Sequence, residues 1–233
     1  MNEIENYSAA ELVSWAIATY GTEFGIATSF QKEGMVVIDL AARANAGAFR
    51  VFTLDTGRLP EETYRMIENV RERYGIPVET VAPLREELEA MVSAHGPNLF
   101  YESPDLRALC CEIRKVRPLQ RKLREFKAWA TGLRREQSAT RADVRTVEQI
   151  DGRIRLSPLA GWSSADVERY IRERDVPVHP LYARGYTSIG CAPCTRAAAA
   201  GEDQRAGRWW WEQEASRECG IHFAANGKVE RNA

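Results

Sequence analysis

Two rhythms of apolar and polar positions run along this chain. The stretch "SAAELVSWAIATY" spaces its apolar residues at helical intervals behind a capping Ser8, and the "FGIATS" that follows is a short apolar run suited to a buried strand. "MVVIDLAARAN" returns to the helical period, "RVFTLD" reads as strand, "PEETYRMIENVRERYG" as helix with Pro60 near its first turn, and "PVETVAP" as strand again. "LREELEAMVSAHG", "RPLQRKLREF", "AWATG", "RIRLSPL" and "SSADVERYIRERD" continue the mixture. Repeated strand and helix in this order predict an α/β fold, a doubly wound and mostly parallel sheet with helices on both faces. Ligands of such sheets sit at the carboxyl ends of the strands. From about Val176 onward prolines, glycines and cysteines thicken and the periodicity fades. The expected organisation is therefore one α/β domain over 1–200, cysteines included, and a C-terminal arm over 201–233.

Composition narrows the classes. The chain has 233 residues, 44% hydrophobic and 28% charged, enough for one sizeable core. A formal net charge of -1 gives no bulk basic field for nucleic acid or anionic lipid, so an anionic ligand must be met by local clusters of arginine and lysine. "MNEIENYSAAELVSW" lacks the basic start and apolar run of a leader, and no stretch approaches the roughly 20 apolar residues that span a bilayer, which makes the cytoplasm the expected location.

Five cysteines stand at 110, 111, 191, 194 and 219. In a reducing compartment a CC plus a CxxC indicates a metal site rather than a disulfide framework, with buried apolar filler as the plain alternative. Four thiolates suit structural zinc or an iron–sulfur cluster; zinc ribbons usually take two CxxC knuckles, and the CC half here favours the cluster. Successive helical residues point about 100° apart, so two vicinal thiolates reaching one centre imply a distorted turn. A cluster with four thiolates is a net anion, and Lys115 is a natural compensating cation.

The strand ends carry further candidates. "SFQKEGMVVIDL" opens from Ser29 and Gly34 onto a helix whose free N–H groups can hold a phosphate, although it has neither the Walker A nor the GxGxxG spacing. "LDTGRLP" places Asp55, Gly57 and Arg58 at the next strand end. "TGLRREQSATR" gathers Arg134, Arg135 and Arg141, whose forks suit phosphate or sulfate oxygens, and "ALCCEIRKVRPL" adds Arg114, Lys115 and Arg117 beside the vicinal cysteines. An ordinary solvated loop is the competing reading of each. Cys219 is the remaining thiol; Arg217 and His222 favour its thiolate while Glu218 opposes it. Trp209 to Trp211 read as a hydrophobic anchor that docks the arm, and His95 and His179 show no ligand spacing.

Taken together, CC at 110 and 111, CxxC at 191 to 194, "GEDQRAGRWWWE" and "ECGIH" strongly resemble the assimilatory sulfonucleotide reductases, specifically the iron–sulfur type that reduces adenosine 5'-phosphosulfate. The resemblance runs from "SFQKEG" through "LDTGRLP" and "TGLRREQSATR" to Cys219. It implies an adenine-nucleotide α-hydrolase-like fold, with residues 1–200 as the nucleotide-binding domain. It implies one 4Fe-4S cluster on Cys110, Cys111, Cys191 and Cys194, and Lys115 between cluster and substrate. The Ser29 loop matches a modified phosphate loop, Leu54 and Gly132 match positions that meet adenosine, and Arg141, Arg205 and Arg208 match arginines that hold the phosphosulfate. Gln31, Lys32 and Arg58 are candidates near the ribose 3'-hydroxyl. Cys219 matches the nucleophile and His222 the histidine that closes over the substrate with it.

The implied reaction belongs to sulfate assimilation and cysteine biosynthesis. Cys219 takes the sulfur as S-sulfocysteine, AMP leaves, and thioredoxin releases sulfite. No thioredoxin-like CxxC domain is appended, as it is in the fused plant enzymes, so an external donor is expected; the family suggests a homo-oligomer. Three alternatives remain: a 3'-phosphoadenosine 5'-phosphosulfate reductase or dual-substrate enzyme, a zinc-stapled nucleotide-binding module, and an ATP pyrophosphatase. The last wants an SGGxDS-type loop that "SFQKEG" lacks.

Overall fold

The structure is a computed structural model that describes residues 4–44, 47–138 and 141–212. In chain order its elements are α1 (Ala9–Tyr20), β1 (Phe24–Ala27), α2 (Lys32–Ala44), β2 (Arg50–Leu54), α3 (Glu61–Tyr74), β3 (Val78–Val81), α4 (Arg85–His95) and α5 (Pro104–Cys111). They continue with α6 (Arg117–Leu123), β4 (Ala128–Ala130), β5 (Val147–Ile150), β6 (Arg153–Leu156) and α7 (Ser164–Arg174). The six strands form one sheet in the order β3-β2-β1-β4-β6-β5. β1 runs parallel to β2 and to β4, and β4 parallel to β6. The mostly parallel α/β sheet expected from the alternation is therefore present. β5 pairs antiparallel with β6 through a tight turn at Asp151 and Gly152, both with positive φ, a hairpin signal of the Asp-Gly kind. The strand order reverses at β1, between β2 and β4, and the crevice outside their carboxyl ends is the position where open α/β sheets bind ligands.

Two compact units divide the chain. The first takes in residues up to 53, 61–79 and 125–182; the second takes in 54–60, 80–124 and 183 onward. In the first, Ser8 caps α1 in a reciprocal box: its hydroxyl accepts from the Glu11 N–H at 3.3 Å and its own N–H donates to Glu11 Oε2 at 2.8 Å. Leu12, Val13 and Ile17 of α1, Ile26 of β1, Val36 and Val37 of α2 and Leu156 of β6 are fully or almost fully buried together. Asp39, buried on α2, accepts hydrogen bonds from Tyr74 Oη at 3.1 Å, Tyr170 Oη at 2.8 Å and Arg43 Nε at 2.7 Å, tying α2 to α3 and α7. Burial, reinforced by Asp39, pushes both tyrosine hydroxyls up, so they remain donors. No helix among the described residues is long and apolar enough to cross a membrane.

His179, unassigned by the sequence, is a buried polar joint of the first unit. Its Nδ1 accepts from the Leu181 N–H at 3.3 Å, which leaves the proton on Nε2, facing Thr63 Oγ1 at 3.1 Å. Burial lowers its pKa from 6.5, with Glu62 pulling the other way. The unfolded chain therefore takes up a proton below pH 6.5 that the folded chain refuses. Stability from this group is complete above that pH and is lost as pH falls toward the folded-state pKa. Urea unfolding at about pH 7.5 and about pH 5.5 is expected to show a loss of stability that His179→Gln reduces.

The second unit packs Met91, Leu99, Phe100, Ile113 and Trp209 around four cysteines. Ser103 caps α5, its Oγ accepting from the Leu106 N–H at 3.1 Å, and Pro104 fills the first turn, where a missing N–H costs nothing. α5 ends on the vicinal cysteines and passes at once into a π-helical turn over Glu112–Val116 before α6 begins.

Candidate active site and thiol cluster

The second unit assembles a recess lined by four thiols. Cys110 and Cys111 reach it as the last two residues of α5, in α-helical backbone, and the π-turn over Glu112–Val116 follows them. Cys191 and Cys194 reach it from a single 3₁₀ turn, Ala192–Cys194, closed by Cys194 N–H to Cys191 O at 3.0 Å and by Thr195 Oγ1 to the same oxygen at 3.0 Å. A Cβ at Gly190, just before them, would meet the Arg208 guanidinium. None of the four is in a disulfide, and all are buried. They line about 310 Å³ of space, counting the part open to solvent, together with Phe100, Pro193 and four cations: Arg58, Arg107, Arg114 and Lys115.

Burial pushes Cys194 up to about 12, opposed by Lys115 and Arg208, and raises Cys110, opposed first by Arg114 and then by Lys115. A metal bound by these two thiols must displace their protons. Thr56 Oγ1 lies 3.2 Å from Cys191 Sγ, and Arg114 Nη1 donates to Thr56 O at 2.6 Å. Among the described residues, Arg114 Nε, Arg208 Nε and Trp209 Nε1 are buried without a hydrogen-bond acceptor. Donors left over beside buried sulfur fit an anionic group bound in the recess. No three histidine, cysteine or acidic side chains among the described residues converge closely enough to grip a single metal ion.

The first unit holds the candidate nucleotide loop, at the carboxyl end of β1. Phe30, fully buried, takes a left-handed φ of 57°, and its N–H donates to Thr28 Oγ1 at 2.9 Å. A non-glycine residue there carries strain that the surrounding packing must hold. Gln31 Nε2 donates to Ser29 Oγ at 3.1 Å, and α2 opens at Lys32, whose N–H donates to Tyr182 Oη at 3.4 Å. Lys32 Nζ pairs with Glu168 and sits 4.5 Å from the Tyr182 ring centre. Gly132, after β4, lies so close to the first turn of α2 that a Cβ would stand 2.8 Å from Glu33 Cβ and from Gly34 N. The structure thus brings Ser29, Gln31 and Gly132 to one place in the first unit.

A model of the phosphoadenosine phosphosulfate reductase domain matches residues 23–197. The chain belongs to this sulfonucleotide reductase family. It is 52% identical over 185 residues to a protein of Burkholderia cepacia named adenosine 5'-phosphosulfate reductase, covering 78% of this chain and 74% of that relative. It is 48% identical over 198 residues to the adenosine 5'-phosphosulfate reductase of Allochromatium vinosum, covering 84% and 77%. A crystal structure of the phosphoadenylyl-sulfate (PAPS) reductase of Candida auris, in a phosphate complex, superposes with a TM-score of 0.69 at 28% identity, covering 82% of this chain and 91% of that one.

Not every arginine of this reductase domain is available to a ligand. Arg134 is held by Glu33 (Nε to Oε1, 2.9 Å), Glu136 (3.2 Å), Trp162 O (3.1 Å) and Ser164 Oγ (3.2 Å), so its guanidinium is a buried clamp rather than a phosphate fork. Arg135 Nε donates to Val144 O at 2.9 Å, and Arg141 Nη1 to Gln137 Oε1 at 2.5 Å. Leu54 ends β2. Arg58, expected near the nucleotide, donates to Pro97 O at 3.0 Å and Asn98 Oδ1 at 2.8 Å, and it lines the thiol recess beside Lys115. Arg208 is buried, its Nη1 donating to Ser188 Oγ and to Ile189 O, both at 3.4 Å; Arg205 N donates to Asp203 Oδ1 at 2.8 Å. Cys219 and His222 lie outside the described residues.

Two recess residues escaped the sequence reading. Thr56 sits between the strand end and Gly57 of "LDTGRLP", and only its hydroxyl hints at a bond to sulfur; Arg107 stands three residues before Cys110, about one helical turn, and so shares its face. Gly132→Ala is expected to overpack the joint between the β4 loop and α2, lowering stability by about 1–3 kcal/mol in urea unfolding. An unchanged midpoint would show that α2 can yield there.

Proposed function

We propose that this chain reduces adenosine 5'-phosphosulfate to sulfite and AMP in sulfate assimilation, with thioredoxin as donor. The observation that carries the reading is the recess itself: four thiols and four cations on one small space, in a chain about half identical to relatives named for that substrate. Cys110, Cys111, Cys191 and Cys194 would hold a 4Fe-4S cluster, which supplies a covalent staple and a fixed electrostatic field rather than the reducing electrons.

The chemistry runs through Cys219. Its thiolate attacks the sulfur of the phosphosulfate; an S–S bond forms, the S–O bond to phosphate breaks, and AMP leaves with the bridging oxygen. One thioredoxin thiolate then attacks Cys219 Sγ and expels sulfite, and the second thioredoxin thiol resolves the mixed disulfide. The dithiol is oxidised by two electrons and the sulfur leaves reduced. One anion must meet another in the first step, so Lys115, Arg141, Arg205 and Arg208 act by offsetting sulfate and leaving-phosphate charge. Ser29, Gln31 and the first turn of α2 hold the phosphate end, Leu54 and Gly132 border adenosine, and His222 closes beside Cys219. A homo-oligomer in the cytoplasm completes the reading.

A second substrate remains in play because the Candida auris relative is named for the 3'-phosphorylated compound. Steady-state sulfite release from each nucleotide, on anaerobically purified protein with its iron counted, decides between them. About four iron atoms per chain and a kcat/KM at least about tenfold higher for the unphosphorylated ribose are expected. Zinc in place of iron, with no sulfite from either nucleotide, would leave the zinc-stapled binding module.

A further inference from the structure

The chain leading to Cys219 is fastened to the second unit at several points. Glu212 accepts two parallel hydrogen bonds from Arg107, Nε to Oε1 at 2.8 Å and Nη2 to Oε2 at 3.0 Å. Their side chains are 7% (Arg107) and 4% (Glu212) exposed. Trp209, fully buried with a left-handed φ of 44°, has the Arg107 guanidinium 4.9 Å and the Arg208 guanidinium 4.6 Å from its ring centre. Its N–H donates to Cys194 O at 3.3 Å, and Arg196 N–H donates to Gly207 O at 2.9 Å. A buried ion pair adds little stability over an apolar pair of the same volume, whereas its forked geometry admits one register. Stability alone does not account for this arrangement; fixing the place of Glu212 does.

We propose that Arg107 and Glu212 are positioning residues that set the base of the arm from which Cys219 acts. The inference rests on the reading of Cys219 as nucleophile. Cys219 stands seven positions after Glu212, so the thiol works within about 25 Å of this anchor even at full extension. With the pair lost and Trp209 still seated, ten positions would separate Cys219 from that fixed point. Effective concentration falls as about the −3/2 power of tether length, roughly a twofold loss. Misorientation multiplies that, since misplacement by an ångström can cost on the order of 10²-fold.

The test is single-turnover transfer of sulfur-35 from adenosine 5'-phosphosulfate to Cys219, on anaerobic, metal-loaded protein. Wild type, Glu212→Gln and the double variant Arg107→Met with Glu212→Leu are compared. The double variant keeps an apolar fill and is expected to keep its stability. Both variants are expected to label roughly tenfold more slowly, with AMP affinity, iron content and alkylation of Cys219 by iodoacetamide unchanged. Wild-type labelling rates in either variant overturn the anchor. So does slowing in step with lost iron, which would make Arg107 a support of the thiol recess it lines. A rate restored by the apolar pair along with stability would reduce the pair to packing. Absence of label on wild-type Cys219 sinks the nucleophile itself, and this inference with it.

Discussion

Cys219→Ser is expected to lower sulfite formation by at least about 10⁴-fold, the scale on which loss of a covalent nucleophile registers. AMP affinity should change by less than about twofold, because the groups proposed to hold the nucleotide are elsewhere in the chain. A hydroxyl keeps the shape of the thiol but is a far weaker nucleophile near neutral pH, and a sulfate ester on serine has no S–S bond for a thioredoxin thiolate to break. The variant should also keep its iron, since the cluster reading uses the other four cysteines. Turnover within about tenfold of wild type would remove Cys219 from the mechanism. A drop in turnover accompanied by loss of iron would instead make Cys219 part of the metal site.

Trp209→Ala carries the largest expected cost in stability, about 3–5 kcal/mol. The indole is the largest fully buried side chain of the described residues. Two guanidiniums face its ring, at 4.9 Å and 4.6 Å, and each such contact is worth about 0.5–2 kcal/mol. Removal leaves a cavity beside the thiols and takes from the buried Arg107, which also pairs with Glu212, the ring beneath its guanidinium. Trp209→Phe keeps a ring for both cations and should cost less. Urea unfolding of the metal-loaded proteins measures both; a loss below about 1 kcal/mol for the alanine variant would mean that the segment before the arm can detach without disturbing the core.

Periodicity revealed the sheet because β1, β2 and β4 are short apolar runs set between amphipathic helices, and their parallel pairing follows from the crossovers. β5 was not legible. "VEQI" is an edge strand with a half-polar face, and only the Asp151-Gly152 turn betrays it. α5 was hidden for a different reason: with the cysteines read as ligands, "PDLRALCC" shows no clean apolar stripe, and the vicinal cysteines expected in a distorted turn are α-helical, with the π-turn beginning one residue after them. The candidate site was legible where spacing carries chemistry, as in CC and CxxC. It was not where chemistry depends on partners far along the chain. Arg134 meets Glu33 101 positions away, Arg107 meets Glu212 at 105, and Thr56 meets Cys191 at 135. One sequence cannot tell an arginine committed to such a partner from one open to a phosphate.

The most direct test of the reductase reading is to trap its intermediate. Protein purified without oxygen is mixed with sulfur-35-labelled adenosine 5'-phosphosulfate in the absence of reductant, and the labelled peptide is mapped. The expected result is close to one label per chain on the peptide containing Cys219, AMP released in equal amount, and all of the label leaving as sulfite when reduced thioredoxin is added. Sulfite formed on adding thioredoxin without any prior label or AMP release would contradict the account, because the sulfur would then pass to the reductant without ever bonding to the enzyme.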